Sequence, residues 1–478
     1  MSPTLPELFS KALSLQHADQ PGPAATLYRH ILVHSPAHAD ALHHLAIAES
    51  AQDNLGRALC LLDRAVRLEP AAATAGQNLA VLLRRLKNLA ISHYNANRLP
   101  EALQAIRIVL RHGGGDLHSR AAYARMLGEA GDLSSGAAEY DWLFETLKTV
   151  DPATEPAFAT IRGETLLLGW SYHRLLGNAD AVARYAQKDL PYRVSTKPVW
   201  DGIPQPGARI LFALDMGFGD AFQFVRSAQA LRAVGMVPII ACDRRLARLL
   251  RSCPFVGEIV SGGEPMPEHD CWILSSRHGE LLDALDDGGL VFPYLRAEPA
   301  ARETWAARLR SSRPLKIALN LGASSAWRDL PLSVLEELAR IDGVEIIDIT
   351  KSGSTLPALR EGPLPRNATH VGSTIDTGPD AFIEIAAILD AVDLVITTDT
   401  SIAHLAGAMA RPVWVFLRKS TDCRWGSSDG PTPLYPTMRL FRQAVPGSWD
   451  DVLYRMKAAL VRLGEDALHS PLPPVAFR

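Results

Sequence analysis

No Asp-x-Asp pair occurs in these 478 residues, which removes the commonest sequence sign of a nucleotide diphosphate held through a metal. A phosphate site in this chain therefore has to rest on backbone amides and cationic side chains, and no metal or cofactor is expected. Gly217 and Gly219 are followed by no third glycine at dinucleotide spacing, so neither the NAD nor the ATP phosphate fingerprint is present. Five cysteines, Cys60, Cys242, Cys253, Cys271 and Cys423, are scattered without Cys-x-x-Cys spacing or clustered histidines. That excludes the usual zinc and disulfide frames and leaves buried thiols in a reducing cytoplasm as the expectation. No apolar run approaches the roughly 18 residues of a membrane span. The opening Met1-Ser-Pro-Thr-Leu-Pro-Glu7 has neither the basic start nor the apolar core of a secretory signal, so a cytoplasmic protein is expected. Nor does one charge dominate: 49 Lys and Arg face 52 Asp and Glu, a net −3, and no broad field draws the chain to nucleic acid or anionic lipid.

What is present is segmented. The length is enough for about two to four domains. Residues 1–150 are rich in Ala and Leu at helical spacing, and small residues recur at Ala24, Ala58, Ala102 and Gly136, in steps of 34, 44 and 34. Neighbours match as well, in Leu55-Gly-Arg-Ala58, Leu99-Pro-Glu-Ala102 and Leu133-Ser-Ser-Gly136, while Pro36 and Pro70 close successive helix pairs. A period of 34 with a small residue where helices cross resembles tetratricopeptide repeats, with ten extra residues placed in a long helix containing Asn78 to Tyr94. Residues 151–195 read as further helices and a linker, and Pro191, Pro198, Pro204 and Pro206 forbid regular structure and mark a boundary.

Beyond that boundary the period changes from helical to alternating strand and helix. A first batch, 196–300, predicts strands at Arg209–Leu214, Val237–Cys242 and Asp270–Leu274, with a helix over Phe222–Val234. A second, 301–448, predicts strands at Lys316–Leu321, Val344–Ile349, Leu394–Thr397 and Val413–Leu417, and 449–478 closes with a helix and a proline-rich tail. Two such batches predict two facing, Rossmann-like α/β domains of mostly parallel sheet.

Candidate chemistry gathers where strands end, since the carboxyl edge of a parallel sheet is where ligands sit. Asp399, Thr400 and Ser401 follow a buried strand and open a small-residue helix whose first amides lack internal partners and favour an anion; His404 lies one turn on, on the same face. In the first batch, Gly217 and Gly219 allow a sharp turn before Asp220, a carboxylate placed at a helix start where a proton acceptor stays ionised, with Gln223 a turn later. Cations recur at strand ends of the second batch, namely Arg328, Lys351, Arg418 and Arg424, and Trp425 and Tyr435 are placed to line a sugar or base pocket.

The stretches Gly217-Phe-Gly219-Asp220-Ala-Phe-Gln-Phe-Val-Arg226, Asp399-Thr-Ser-Ile-Ala-His404-Leu-Ala-Gly-Ala, Pro412-Val-Trp-Val and Tyr435-Pro-Thr-Met-Arg-Leu-Phe-Arg-Gln443 resemble bacterial tetratricopeptide-repeat proteins that carry a glycosyltransferase domain of the family 9, heptosyltransferase-related type. The likeness runs over about residues 198–460, and the layout is more distantly similar to O-linked N-acetylglucosamine transferase. The resemblance implies a GT-B fold and an inverting, metal-independent transfer from a nucleoside-diphosphate sugar to a protein or glycan acceptor presented by the repeats. It also implies roles: Asp220 as the base, Asp399 on ribose or sugar, Thr400, Ser401 and His404 on the diphosphate, and Arg328 and Lys351 against leaving-group charge. The chain departs from the pattern at Asp215-Met216 and Phe218, in the shortened loop Ala323 to Arg328, and at Thr421-Asp-Cys-Arg424-Trp425. The alternative left open is a non-catalytic repeat scaffold with a degenerate sugar-nucleotide domain.

Overall fold

The computed structural model describes residues 3–96, 98–112, 116–155, 157–185, 193–277, 289, 291–310, 313, 315–324, 328–353 and 356–469, with side chains described as far as 462. The chain divides into two compact units, Met1–Ala186 and Gln187–Arg478. The expected proline-rich tail, and the residues 325–327 of the shortened loop, lie outside the described residues.

The first unit is helical, running from Leu5–His17 to Ala179–Tyr185 with each helix packed on the next. Its cores form because small residues sit where helices cross: Ala24, Ala58 and Ala102 are fully buried, and a Cβ on Gly136 would lie 2.9 Å from the Ala124 carbonyl oxygen. The 44-residue step has a local explanation. Helix Ala73–Asn95 has 23 residues where Ala39–Ala51 and Leu99–Arg111 have 13, so the ten additional residues lengthen one helix and leave the crossings intact.

The second unit holds two sheets. The first has strands β1 (Arg209–Ala213), β2 (Val237–Cys242), β3 (Glu258–Ser261) and β4 (Cys271–Leu274), all parallel, in the order β3-β2-β1-β4. The second contains β5 (Leu315–Asn320), β6 (Val344–Asp348), β7 (Ala368–His370), β8 (Leu394–Thr398), β9 (Val413–Leu417), β10 (Gly430–Thr432) and β11 (Tyr435–Arg442), in the order β10-β11-β9-β8-β5-β6-β7. Only β10 runs antiparallel, against β11. β8 and β9 are buried along their whole length, as strands covered on both faces must be.

Two sequence expectations need correction. The helix expected over Phe222–Val234 begins earlier and is broken into Phe218–Phe224 and Ser227–Ala233. At the break the amides of Ala228 and Gln229 reach back only three residues, and Arg226 donates to the Leu434 carbonyl at 2.9 Å. β11 adds a strand beyond those expected: although Pro436, Arg439 and Arg442 interrupt its apolar pattern, it pairs with β9 and keeps Tyr435, Met438, Leu440 and Phe441 buried.

The halves of this unit share one apolar core. Phe222 meets Phe382 edge-on with centroids 5.0 Å apart, and Tyr294 links the halves by donating its hydroxyl to the Phe222 carbonyl and its amide to the Ala408 carbonyl. Gly407 lets helix Ser401–Ala408 lie on β11: a Cβ there would stand 2.4 Å from the Tyr435 ring.

Candidate functional site

Asp220 is the third residue of helix Phe218–Phe224, just beyond the carboxyl end of β1. Its Oδ2 accepts the Gly217 amide at 3.1 Å, which fixes the carboxylate against the helix start. Its Oδ1 accepts Nη1 of Arg424 at 2.6 Å, and the same Nη1 donates to Gln223 Oε1 at 3.0 Å. Arg424 belongs to the short turn Cys423–Trp425 after β9, where Asp422 accepts its backbone amide at 3.0 Å and its Nη2 at 3.2 Å. The guanidinium thus stands between carboxylates from both halves of the unit. Burial works against its charge, but Asp422 and Asp220 outweigh burial and push its pKa up. Burial likewise opposes ionisation of Asp422, and Arg424, through charge and hydrogen bonds, still holds that carboxyl below its ordinary range.

On the neighbouring strand end, Asp399 presents its carbonyl to Arg328 Nη1 at 3.1 Å, while Arg328 Nη2 donates to Ser324 Oγ at 2.8 Å. The Asp399 carboxyl has its pKa raised, by burial first and by the Asp422 charge second, against the opposing pull of Arg424 and Arg328. The indole of Trp425, itself buried, lies beside this carboxyl and also pulls its pKa down.

The other residues expected here fall into two groups. Ser401 opens its helix, and Thr400 sits at the N-cap position, but the Thr400 hydroxyl turns inward to Thr397 Oγ1 at 3.2 Å and Asn320 Nδ2 at 3.4 Å. His404 was expected to point where an anion sits; its ring is buried instead, with Nδ1 on the Tyr435 hydroxyl at 2.9 Å and its face stacked on Trp425 at 5.0 Å. Burial holds its pKa well below the ordinary histidine value, so the imidazole is neutral. Gly219 closes over this helix start: a Cβ on it would lie 2.9 Å from His404 Cδ2 and 3.3 Å from Ser401 Cα. Lys351 is not drawn into the cluster. Its Nζ donates to the carbonyls of Ile375 at 2.6 Å and Asp376 at 3.1 Å.

No family model matches the chain. It is 24% identical over 290 residues to protein FlbA of Caulobacter vibrioides, a stretch that is 55% of this chain and 48% of FlbA, so the chain spans about half the length of that curated relative. Solved structures that match parts of the chain include glycosyltransferases. The ADP-heptose lipopolysaccharide heptosyltransferase II of E. coli is 15% identical over 54% of this chain and 99% of its own, with a TM-score of 0.40. The O-GlcNAc transferase of Thermobaculum terrenum is 14% identical over 88% of this chain and 83% of its own, with a TM-score of 0.30. Likenesses of this size say nothing about activity.

Three residues of the cluster escape a sequence reading. Asp422 orients Arg424. Arg442 donates Nη1 to Thr421 Oγ1 and Nη2 to the Gly426 carbonyl, both at 2.8 Å, and so holds the turn that carries Arg424. Asn320, at the end of β5, ties Thr397 to the carbonyl of Gly322. The only signal for Arg442 is its place in the Arg-Leu-Phe-Arg-Gln443 stretch that carries the family resemblance.

Proposed function

We propose that the α/β unit binds a nucleoside-diphosphate sugar and transfers the sugar, with inversion and without a metal, to a hydroxyl on a protein or glycan recruited by the helical repeats. The observation that carries this reading is the Asp220–Arg424 pair, a proton acceptor and a cation from opposite halves held 2.6 Å apart beside the Ser401 helix start. Arg424 donates to Asp220 Oδ1. A diphosphate competes for that guanidinium, and once Arg424 turns to the phosphates, Asp220 is free to take the proton of the attacking hydroxyl. The sugar–phosphate bond breaks as the new glycosidic bond forms, and the charge left on the diphosphate is met by Arg424, Arg328 and the first amides of the Ser401 helix. Asp399, whose carboxyl resists ionisation, hydrogen-bonds ribose or sugar hydroxyls. A preorganised cation aimed at developing charge is worth about 3 kcal/mol of barrier.

A second reading, a non-catalytic scaffold, is favoured by the fit of Gly219 against Ser401 and His404, since those contacts must open before a diphosphate reaches the helix start. Calorimetric titration with nucleoside diphosphates and their sugars, in the absence of metal, separates the two. Micromolar binding that is lost in Arg424→Ala supports the donor site, and silence across the panel leaves the scaffold.

A further inference from the structure

Away from this cluster, the outer strands of the second sheet carry a different set of reactive groups. Asp348 and His370 end the adjacent parallel strands β6 and β7 and are direct partners in their register. His370 Nδ1 lies 2.6 Å from Asp348 Oδ2, and His370 Nε2 lies 2.5 Å from Ser373 Oγ. We propose that Asp348, His370 and Ser373 form a second site, in which Ser373 is an activated nucleophile toward carboxylic esters.

The roles follow from proton positions. Asp348 is fully buried, and its Oδ1 already accepts the Thr350 amide at 3.0 Å and the Thr350 hydroxyl at 2.6 Å. Oδ2 therefore takes the Nδ1–H of His370, which fixes the tautomer and leaves Nε2 as the acceptor for the Ser373 hydroxyl. Aspartate, imidazole and serine thus stand in the order that nucleophilic catalysis needs. Backbone fixes the serine as firmly as side chains do. The amides of Val371 and Gly372 both donate to the Asp348 carbonyl, and a Cβ on Gly372 would lie 2.1 Å from the Thr350 carbonyl oxygen, so only glycine permits this turn. Ser373 is partly exposed in that turn, whereas Asp348 is sealed from water. Arg360, on helix Leu356–Glu361, donates Nε to Ser373 Oγ at 3.3 Å and so helps to fix the orientation of the hydroxyl.

In the reaction, Ser373 Oγ bonds to the ester carbonyl carbon as its proton moves to His370 Nε2. The imidazolium returns that proton to the departing alkoxide, and water, deprotonated by the same nitrogen, then releases the acid and restores the serine. This site does not rest on the donor reading and stands or falls apart from it.

The test is covalent labelling of the full chain with a fluorophosphonate probe, which loses fluoride when a serine attacks phosphorus, followed by mapping of the labelled peptide. Ser373 is expected to carry the label, at a rate at least about a hundredfold above that in His370→Gln. Ser373→Ala, which removes only a hydroxyl, is expected to abolish that label while hydrogen exchange in β6 and β7 is unchanged. Absence of label at Ser373 in the unaltered protein overturns the proposal, as does an equal rate in a folded His370→Gln.

Discussion

The two units are held together over different distances along the chain, and the difference decides what each can tolerate. In the helical unit the charged partners come from helices one or two steps apart in the chain: Lys87 with Asp116, Arg120 with Glu139 and Arg125 with Glu164 are 29, 19 and 39 residues apart. In the α/β unit, pairs that join its halves include Arg424 with Asp220 and Arg226 with the Leu434 carbonyl, which span 204 and 208 residues. A unit built from local contacts absorbs ten residues by lengthening one helix, because each helix needs only its neighbours. A site assembled across 204 residues exists only when both sheets are folded.

The largest expected effect tests whether the long-range pair is catalytic. Asp220→Asn keeps the size of the side chain and removes the proton acceptor, so turnover should fall about a hundred- to ten-thousandfold while donor affinity, measured calorimetrically, is retained. Unchanged turnover would remove Asp220 from the mechanism. Arg424→Ala comes next. It strands Asp220 and Asp422 without their cation, and because the pair keeps some contact with water the cost should lie near the lower end of that for a buried pair, about 3 kcal/mol. Hydrogen exchange should place that loss throughout the α/β unit and leave the helical unit untouched.

A matched pair of glycine substitutions sharpens the contrast. A Cβ on Gly407 would stand 2.4 Å from the Tyr435 ring, and a Cβ on Gly128 would stand 2.1 Å from the Tyr172 hydroxyl oxygen. Gly407→Ala and Gly128→Ala should each cost about 1–3 kcal/mol through overpacking, the first read in the α/β unit and the second in the helical unit. Equal loss in both units from either change would show that they do not unfold separately.

The smallest expected effect is on pH dependence. His404 is neutral when folded because burial depresses its pKa, whereas the unfolded histidine takes up a proton near its ordinary value of about 6.5. Its contribution to stability is therefore complete above about pH 6.5 and is lost as pH falls below that toward the folded pKa. Thermal midpoints between pH 5.5 and 7.5 should show a steeper acid-side decline in the unaltered protein than in His404→Gln, with the difference confined to the α/β unit. Parallel profiles would show that the ring is not held neutral.

Much of this architecture is legible in the residues because it depends on period. Ala24, Ala58 and Ala102 mark helix crossings since no larger side chain fits there, and the buried runs of β2, β8 and β9 read as strands because both faces are covered. Asp220, Asp399 and Ser401 stand out as candidates because helix starts and strand ends have characteristic side chains. The partners of those residues do not stand out. Nothing in Thr421-Asp-Cys-Arg424 specifies that its guanidinium meets a carboxylate two hundred positions earlier, and nothing in His370-Val-Gly-Ser373 names Asp348 as the group that sets the imidazole tautomer. His404 reads as a donor at a helix start, yet the fold turns it into a neutral ring stacked on Trp425. Local pattern alone determined the elements and their type, since propensity and burial act over a few residues. Which charges are paired, which are sealed from water and which proton each group carries was decided only by tertiary structure, because those properties depend on atoms that the chain brings together from afar.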